Sequence, residues 1–290
     1  VTGVQTCALP ILTYLITGAN GQLGQELQKL CNERDIDFVA FDSKQLDITD
    51  REDVFEAFAR VQPDVVYHAA AYTKVDLAED DGRTVNWQVN VNGTKNVADA
   101  AHHYQAKLVA VSTDYVFEGT SETAYQETDA VNPQNAYGRA KLAGELAVTE
   151  SGADAYIVRT SWVFGEFGNN FVYTMQRLAE SHPRLTVVND QLGRPTWTRT
   201  LAEFMLYLID NQANYGIYHL SNDDVATWFD FAREILKDHA VTVSPVTSAE
   251  FPQKAYRPKK SVMSLDKAKA TGFEIPTWRN ALSMFLESIK

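Results

Sequence analysis

Thr17-Gly18-Ala19-Asn20-Gly21-Gln22-Leu23-Gly24 closes the strand candidate Leu12–Thr17 and opens a segment with Leu23, Leu27 and Leu30 at helical spacing. A strand that turns on glycine directly into a helix is the start of a βα unit. The first glycine permits a tight turn, the second lets the backbone approach a pyrophosphate, and the third allows close helix–strand packing. The helix N-terminus then offers N–H groups and a positive dipole end to phosphates. Gly18, Asn20, Gly21, Gln22, Leu23 and Gly24 are therefore candidate dinucleotide-binding residues.

Outward from this turn, the first 160 residues alternate short β-rich runs with helical patterns, as parallel βαβ units do. The further strand candidates are Phe38–Phe41, Val65–His68, Leu108–Ser112 and Tyr156–Thr160. Thr49-Asp-Arg-Glu52 reads as a capping box before a helix carrying Val54, Phe55, Phe58 and Val61 on one face. This predicts an α/β fold with a doubly wound parallel sheet of the Rossmann type. After Gly165 the alternation weakens. A helix over Phe171–Glu180, a strand over Leu185–Val188 and an apolar helix over Leu201–Ile209 are expected there, then a strand at Gly216–Leu220 and helices near Trp228–Lys237 and Asn280–Ile289. The expected division is a dinucleotide-binding domain over 12–164 and a smaller, interleaved substrate-binding domain over 165–290, some of whose elements return to the first. Residues 1–11 carry no pattern of either domain and read as a non-native extension with no signal-peptide character.

Composition narrows the function classes. A net charge of −12 over 290 residues argues against a nucleic-acid or anionic-membrane surface, and no apolar run approaches the ~20 residues of a membrane span. Two cysteines, Cys7 and Cys31, are too few for a disulfide framework or a structural zinc site, which fits a reducing, cytoplasmic setting. No metal site is expected; the His102–His103 pair has no ligand-type neighbour at suitable spacing.

Two stretches carry the chemistry. Asp42 ends the second strand, 18 residues past Gly24, where a carboxylate can bond the adenosine ribose hydroxyls; Ser43 and Lys44 beside it leave both NADH and NADPH open. Asp47 and Ile48 could flank the adenine, and Ala69, Ala70 and Ala71 are small enough to let a cofactor lie over a strand end. Ser112-Thr113-Asp114-Tyr115-Val116-Phe117 follows the fourth strand, and Tyr137-Gly-Arg-Ala-Lys141 follows that. Tyr137 and Lys141 at i and i+4 share a helix face and can act on one centre. A nearby ammonium is expected to lower the phenol pKa, so that Tyr137 can give a proton to a carbonyl oxygen held by the Thr113 hydroxyl while Lys141 fixes the nicotinamide ribose.

The chain resembles the dTDP-4-dehydrorhamnose reductase family of extended short-chain dehydrogenases. The resemblance covers about residues 12–290 and is carried by Gly21-Gln-Leu-Gly24, Ala69-Ala-Ala-Tyr-Thr73, Ser112–Phe117, Tyr137-Gly138…Lys141, Arg159-Thr-Ser-Trp162, Gly168-Asn-Asn-Phe171, Val188-Asn-Asp-Gln191…Gly193…Pro195-Thr196 and Arg257-Pro258…Ser261. It implies NAD(P)H-dependent reduction of the 4-keto group of a dTDP-6-deoxyhexose, with Thr113, Tyr137 and Lys141 as the catalytic set. It further implies contacts to the sugar nucleotide from Asp114, Trp162, Asn170 and Arg257, the last on the diphosphate. Some family members dimerise through a Mg²⁺ site of three glutamates; this chain keeps Glu26 but has Arg199 at a later position of that set, so a monomer or metal-independent homodimer is expected. The alternatives are another sugar-nucleotide epimerase or dehydratase, disfavoured by Tyr115 where a dehydratase carries Glu, and a non-catalytic subunit like the regulatory subunit of methionine adenosyltransferase, disfavoured by the intact Thr113, Tyr137 and Lys141.

Overall fold

A computed structural model describes residues 12–290; the expected extension over 1–11 lies outside the described residues. Its centre is a six-stranded, wholly parallel sheet. The strands are β1 (Tyr14–Thr17), β2 (Phe38–Phe41), β3 (Val65–His68), β4 (Lys107–Thr113), β5 (Ala155–Thr160) and Gly216–His219, in the spatial order β2-β1-β3-β4-β5-(Gly216–His219). The order reverses between β1 and β3, and in open parallel sheets the crevice for a ligand opens beyond the carboxyl ends of the strands at that reversal.

Every residue of β1, β3 and β5 is buried, because helices cover both faces of the sheet. On one face lie α1 (Gln22–Glu33) and the apolar α7 (Thr198–Asp210), whose Leu27, Leu30, Leu201 and Phe204 join one core cluster. The other face is covered by α2 (Arg51–Val61), α4 (Thr94–His103) and α5 (Ala136–Glu150) through Val54, Phe58, Val97 and Val148. The capping expectation for α2 shifts by one residue. Asp50, not Thr49, is the cap and accepts from the Glu52 and Asp53 N–H groups at 2.9 and 3.3 Å, while the Thr49 hydroxyl turns back to Asp47.

Between β3 and β4 the chain runs helically through α3 (Arg83–Trp87), a π-helical stretch Gln88–Gly93 and α4. The π stretch presents Asn90, whose amide grips both the N–H and the carbonyl of Tyr72 and so fixes the loop after Ala71. A second core, separate from the sheet clusters, is built by α6 (Phe171–Ser181), α8 (Trp228–Ile235) and α10 (Trp278–Ser288) around Phe164, Phe231, Trp278 and Phe285. The paired strands Arg184–Val188 and Thr242–Val246 pack beside it, and the short α9 (Asp266–Ala270) lies against the Gly216–His219 strand. No helix among the described residues is long and apolar enough to cross a membrane.

Candidate active site

At the reversal point, two cavities meet over the strand ends and share Gly21 and Ala69–Ala71. The first, about 330 Å³, lies over β1 and β2 and is lined by Gly18, Asn20, Gly21, Asp42, Asp47, Ile48 and the three alanines. Gly18 holds φ at +73°, and a Cβ there would come within 2.6 Å of the Ala70 nitrogen, so the turn can sit against β3 only as glycine. Gly21 occupies the N-cap of α1 with no side-chain cap, which leaves first-turn N–H groups facing the cleft. Gly24 packs against the Gly18 carbonyl and lines neither cavity. The Asp42 carboxylate accepts from Asn20 Nδ2 at 2.6 Å and from the Lys44 and Gln45 N–H groups at 2.8 and 3.1 Å, so it shapes its own turn as well as facing the cavity.

The second cavity, about 510 Å³, brings together Gln22, Leu23, Thr113, Asp114, Tyr137, Lys141 and Trp162. Asn135 starts α5: its Oδ1 accepts from the Gly138 N–H at 2.7 Å, and its amide donates to the Tyr256 carbonyl at 2.9 Å. A Cβ on Gly138 would fall 2.3 Å from the Tyr115 carbonyl oxygen. The glycine after Tyr137 is therefore what lets the first turn of α5 close on the end of β4 and bring Tyr137 to Thr113. Gln22 Oε1 and Thr160 Oγ1, both on this cavity, are buried acceptors without a protein partner, which fits a cleft made for a polar ligand.

The electrostatics differ from expectation at one point. Burial, and then the Asp114 carboxyl, push the Tyr137 phenol above its ordinary pKa, with the Thr113 hydroxyl pulling the other way. The Lys141 ammonium donates to the Val111 carbonyl at 2.7 Å and is itself lowered to about 8 by burial, against the pull of Glu145. Asp114 is raised to about 7 by burial, although Ser261 Oγ donates to it at 2.5 Å and Thr113 Oγ1 at 3.2 Å.

Two of the expected substrate contacts are not brought to the cavity. Asn170 caps α6, its Oδ1 accepting from the Val172 and Tyr173 N–H groups and its amide donating to the Gly165 carbonyl, so its polar atoms are used; its neighbour Asn169 lines the cavity instead. Arg257 lies behind Tyr115 and donates to Asp76 at 2.8 Å. Trp162 lines the cavity with φ at +48°, a left-handed conformation costing ~1–3 kcal/mol in a bulky residue. Four residues here are not among the expected site residues. His68 is held neutral, its pKa lowered to about 3 by burial and then by Lys141, between Thr17 and Thr94. Glu145 accepts from Ser112 and forms a two-pronged pair with Arg159 at 2.9 and 2.7 Å. Trp228 and Phe171 close the far wall. Glu145 continues the 137, 141 spacing by one more turn and could have been found; nothing local marks Trp228.

A Mg²⁺ site built on Glu26 does not fit these residues. Arg199 Nη1 lies 2.6 Å from Glu33 and 3.8 Å from the buried Glu26, and its Nε 2.7 Å from Glu203. A guanidinium already stands among the carboxylates and would repel a divalent ion.

The family model described as RmlD substrate binding domain matches residues 12–290. A dTDP-4-dehydrorhamnose reductase of Aggregatibacter actinomycetemcomitans is 39% identical over 284 residues, covering 92% of this chain and 96% of the relative. The chain belongs to the dTDP-4-dehydrorhamnose reductase family. Solved structures of that family superpose closely. The Bacillus anthracis reductase, in complex with NADP, has a TM-score of 0.92 at 41% identity, covering 96% of this chain and 99% of that one. The Clostridium acetobutylicum structure gives 0.93 at 41% identity with the same coverage.

Proposed function

We propose that this chain reduces the 4-keto group of dTDP-4-dehydro-6-deoxy-L-mannose to dTDP-L-rhamnose with NADPH or NADH, for cell-surface polysaccharide synthesis. The observation that carries the reading is the convergence of Thr113, Tyr137 and Lys141 on one cavity that is continuous with the glycine-turn cavity. Gly18, Asn20, Gly21, Gln22, Leu23, Asp42, Asp47, Ile48 and Ala69–Ala71 would hold the dinucleotide, with Gly24 supporting the turn from below. The bound cofactor supplies the hydride.

The residues of the chain do the rest. A phenol raised above its ordinary pKa is fully protonated at neutral pH, so Tyr137 is a proton donor in the state that reduction requires. As its proton passes to the carbonyl oxygen, the Lys141 ammonium stabilises the negative charge left on the phenol oxygen. Thr113 polarises the carbonyl, and Asp114 and Trp162 contact the sugar nucleotide. The elements built around the second core serve as the substrate lobe. With Arg199 in place of a metal ligand, the protein works as a monomer or a metal-independent homodimer, in the cytoplasm.

The test is an assay of NADPH and NADH oxidation with the 4-keto nucleotide, with the product identified by chromatography. Stoichiometric formation of dTDP-L-rhamnose is expected; cofactor binding without turnover would remove the assignment.

A further inference from the structure

The side chains of Asn189, Asp190 and Gln191 each bond to another part of the chain. Asn189 Oδ1 accepts from Thr227 Oγ1 at 2.9 Å, and Asp190 Oδ1 accepts from the Ser248 N–H and hydroxyl at 2.8 and 2.6 Å. Gln191, itself buried, donates to Ser248 Oγ at 3.0 Å and accepts from the Trp228 indole N–H at 3.1 Å. Two residues later, Gly193 pairs with Ala226 across a short antiparallel ladder. A Cβ on Gly193 would come within 2.7 Å of the Trp162 ring. Trp162 is thus pressed between Gly193 and Trp228, whose ring stacks on it with centroids 3.8 Å apart and planes 13° from parallel. Phe171 leans on Trp228 from the side at 4.7 Å.

We propose that Gln191 is a positioning residue that pins Trp228 onto Trp162, and that this indole pair is the specificity wall for the deoxygenated edge of the sugar. The inference rests on the reductase reading above and deepens it. Trp162, Trp228, Phe171, Val163 and Leu201 share the 510 Å³ cavity with Thr113 and Tyr137. A ketone oxygen held at Thr113 and Tyr137 leaves the neighbouring ring carbon and its substituent to meet the rest of the lining. Aromatic and aliphatic carbon offers a methyl a matched surface and leaves a hydroxymethyl oxygen without a partner. The left-handed backbone at Trp162 is the mark of a ring held where the stack requires it.

The test compares the wild type with Gln191→Leu, Trp228→Phe and the double variant. In the ligand-free protein, the stacked indoles should give an exciton couplet in ultraviolet circular dichroism that weakens in Gln191→Leu and vanishes in Trp228→Phe. With the 6-deoxy-4-keto nucleotide, each single variant should raise KM on the order of tenfold, with kcat falling far less and NADPH affinity held. Its preference over the 6-hydroxylated counterpart should shrink by a similar factor. In the Trp228→Phe background, adding Gln191→Leu should change KM little, because Gln191 acts through Trp228. An undiminished couplet in Gln191→Leu, additive KM effects, or an unchanged sugar preference in Trp228→Phe would each overturn the inference. The Trp228→Phe comparison stands even where Gln191→Leu does not fold. A wild type inactive on the nucleotide would instead overturn the reductase reading itself.

Discussion

Around Gly18 and Ala70 the cleft is walled by main chain, with the turn seated so close to β3 that no Cβ fits between them. Around Trp162 it is walled by side chains held by other side chains, from residues 162, 191 and 228. The first end is specified by a local run of eight residues, the second by contacts between residues 162 and 228, 66 positions apart in the chain. A backbone wall tolerates change around it but not within it, because a single added methyl has nowhere to go. A side-chain wall can be altered in steps, which suits the end that must distinguish one sugar from another while the cofactor end stays fixed.

The largest effect is expected where the two ends meet: Tyr137→Phe should lower kcat ~10²–10⁴-fold while leaving NADPH binding intact, as read by turnover and by cofactor fluorescence titration. A variant that keeps near wild-type turnover would take Tyr137 out of the reaction. Next, Gly18→Ala forces a Cβ into a left-handed position against Ala70. It should cost about 3 kcal/mol of stability or the equivalent in NADPH affinity, measured by melting and by titration. If it is neutral in both, the backbone wall is softer than its geometry implies.

The pH dependence comes third. In the proposed mechanism Lys141 acts as an ammonium; its pKa is lowered to about 8, so the charged form prevails below that value and is lost above it. The rate constant kcat/KM should hold towards neutrality and fall about tenfold per pH unit well above 8. A profile flat to pH 10 would mean that Lys141 is held charged by something other than its protein surroundings. The smallest effect is expected outside the cleft. Arg199→Ala leaves the buried Glu26 without its cation, but Glu33 and Glu203 are solvated, so a loss of about 1 kcal/mol is expected in thermal melts. The sedimentation of the wild type should not respond to EDTA; a chelator-sensitive dimer would show that the guanidinium is not the cation that matters.

The legibility of the molecule in its sequence follows the same divide. β2 and β3 begin and end where alternation and turn residues put them, and the glycine turn sits on the cleft, because these signals are local. Thr49 and Asp50 are both good caps one position apart, and the choice fell to Asp50 because Thr49 is drawn back by Asp47. Asn170, expected from the resemblance alone, has its Oδ1 and amide engaged by the first turn of α6 and the Gly165 carbonyl, bonds that nothing in the resemblance marks. Arg257 depends on Asp76, 181 residues away, and Trp228 on Gln191, so neither position is written in its own neighbourhood. The π stretch that places Asn90 under Tyr72 has no sequence mark that separates it from an ordinary helix.

Arg199 has a consequence in terms of mass action. A bound ion stabilises a protein by an amount that grows with its free concentration relative to its dissociation constant, and dilution or a competing chelator withdraws it. A cation supplied by the chain has no dissociation constant. The cation among Glu26, Glu33 and Glu203 is therefore present in every copy from the moment it folds, at any metal concentration, and the junction of α1 with α7 beneath the cofactor turn is independent of supply.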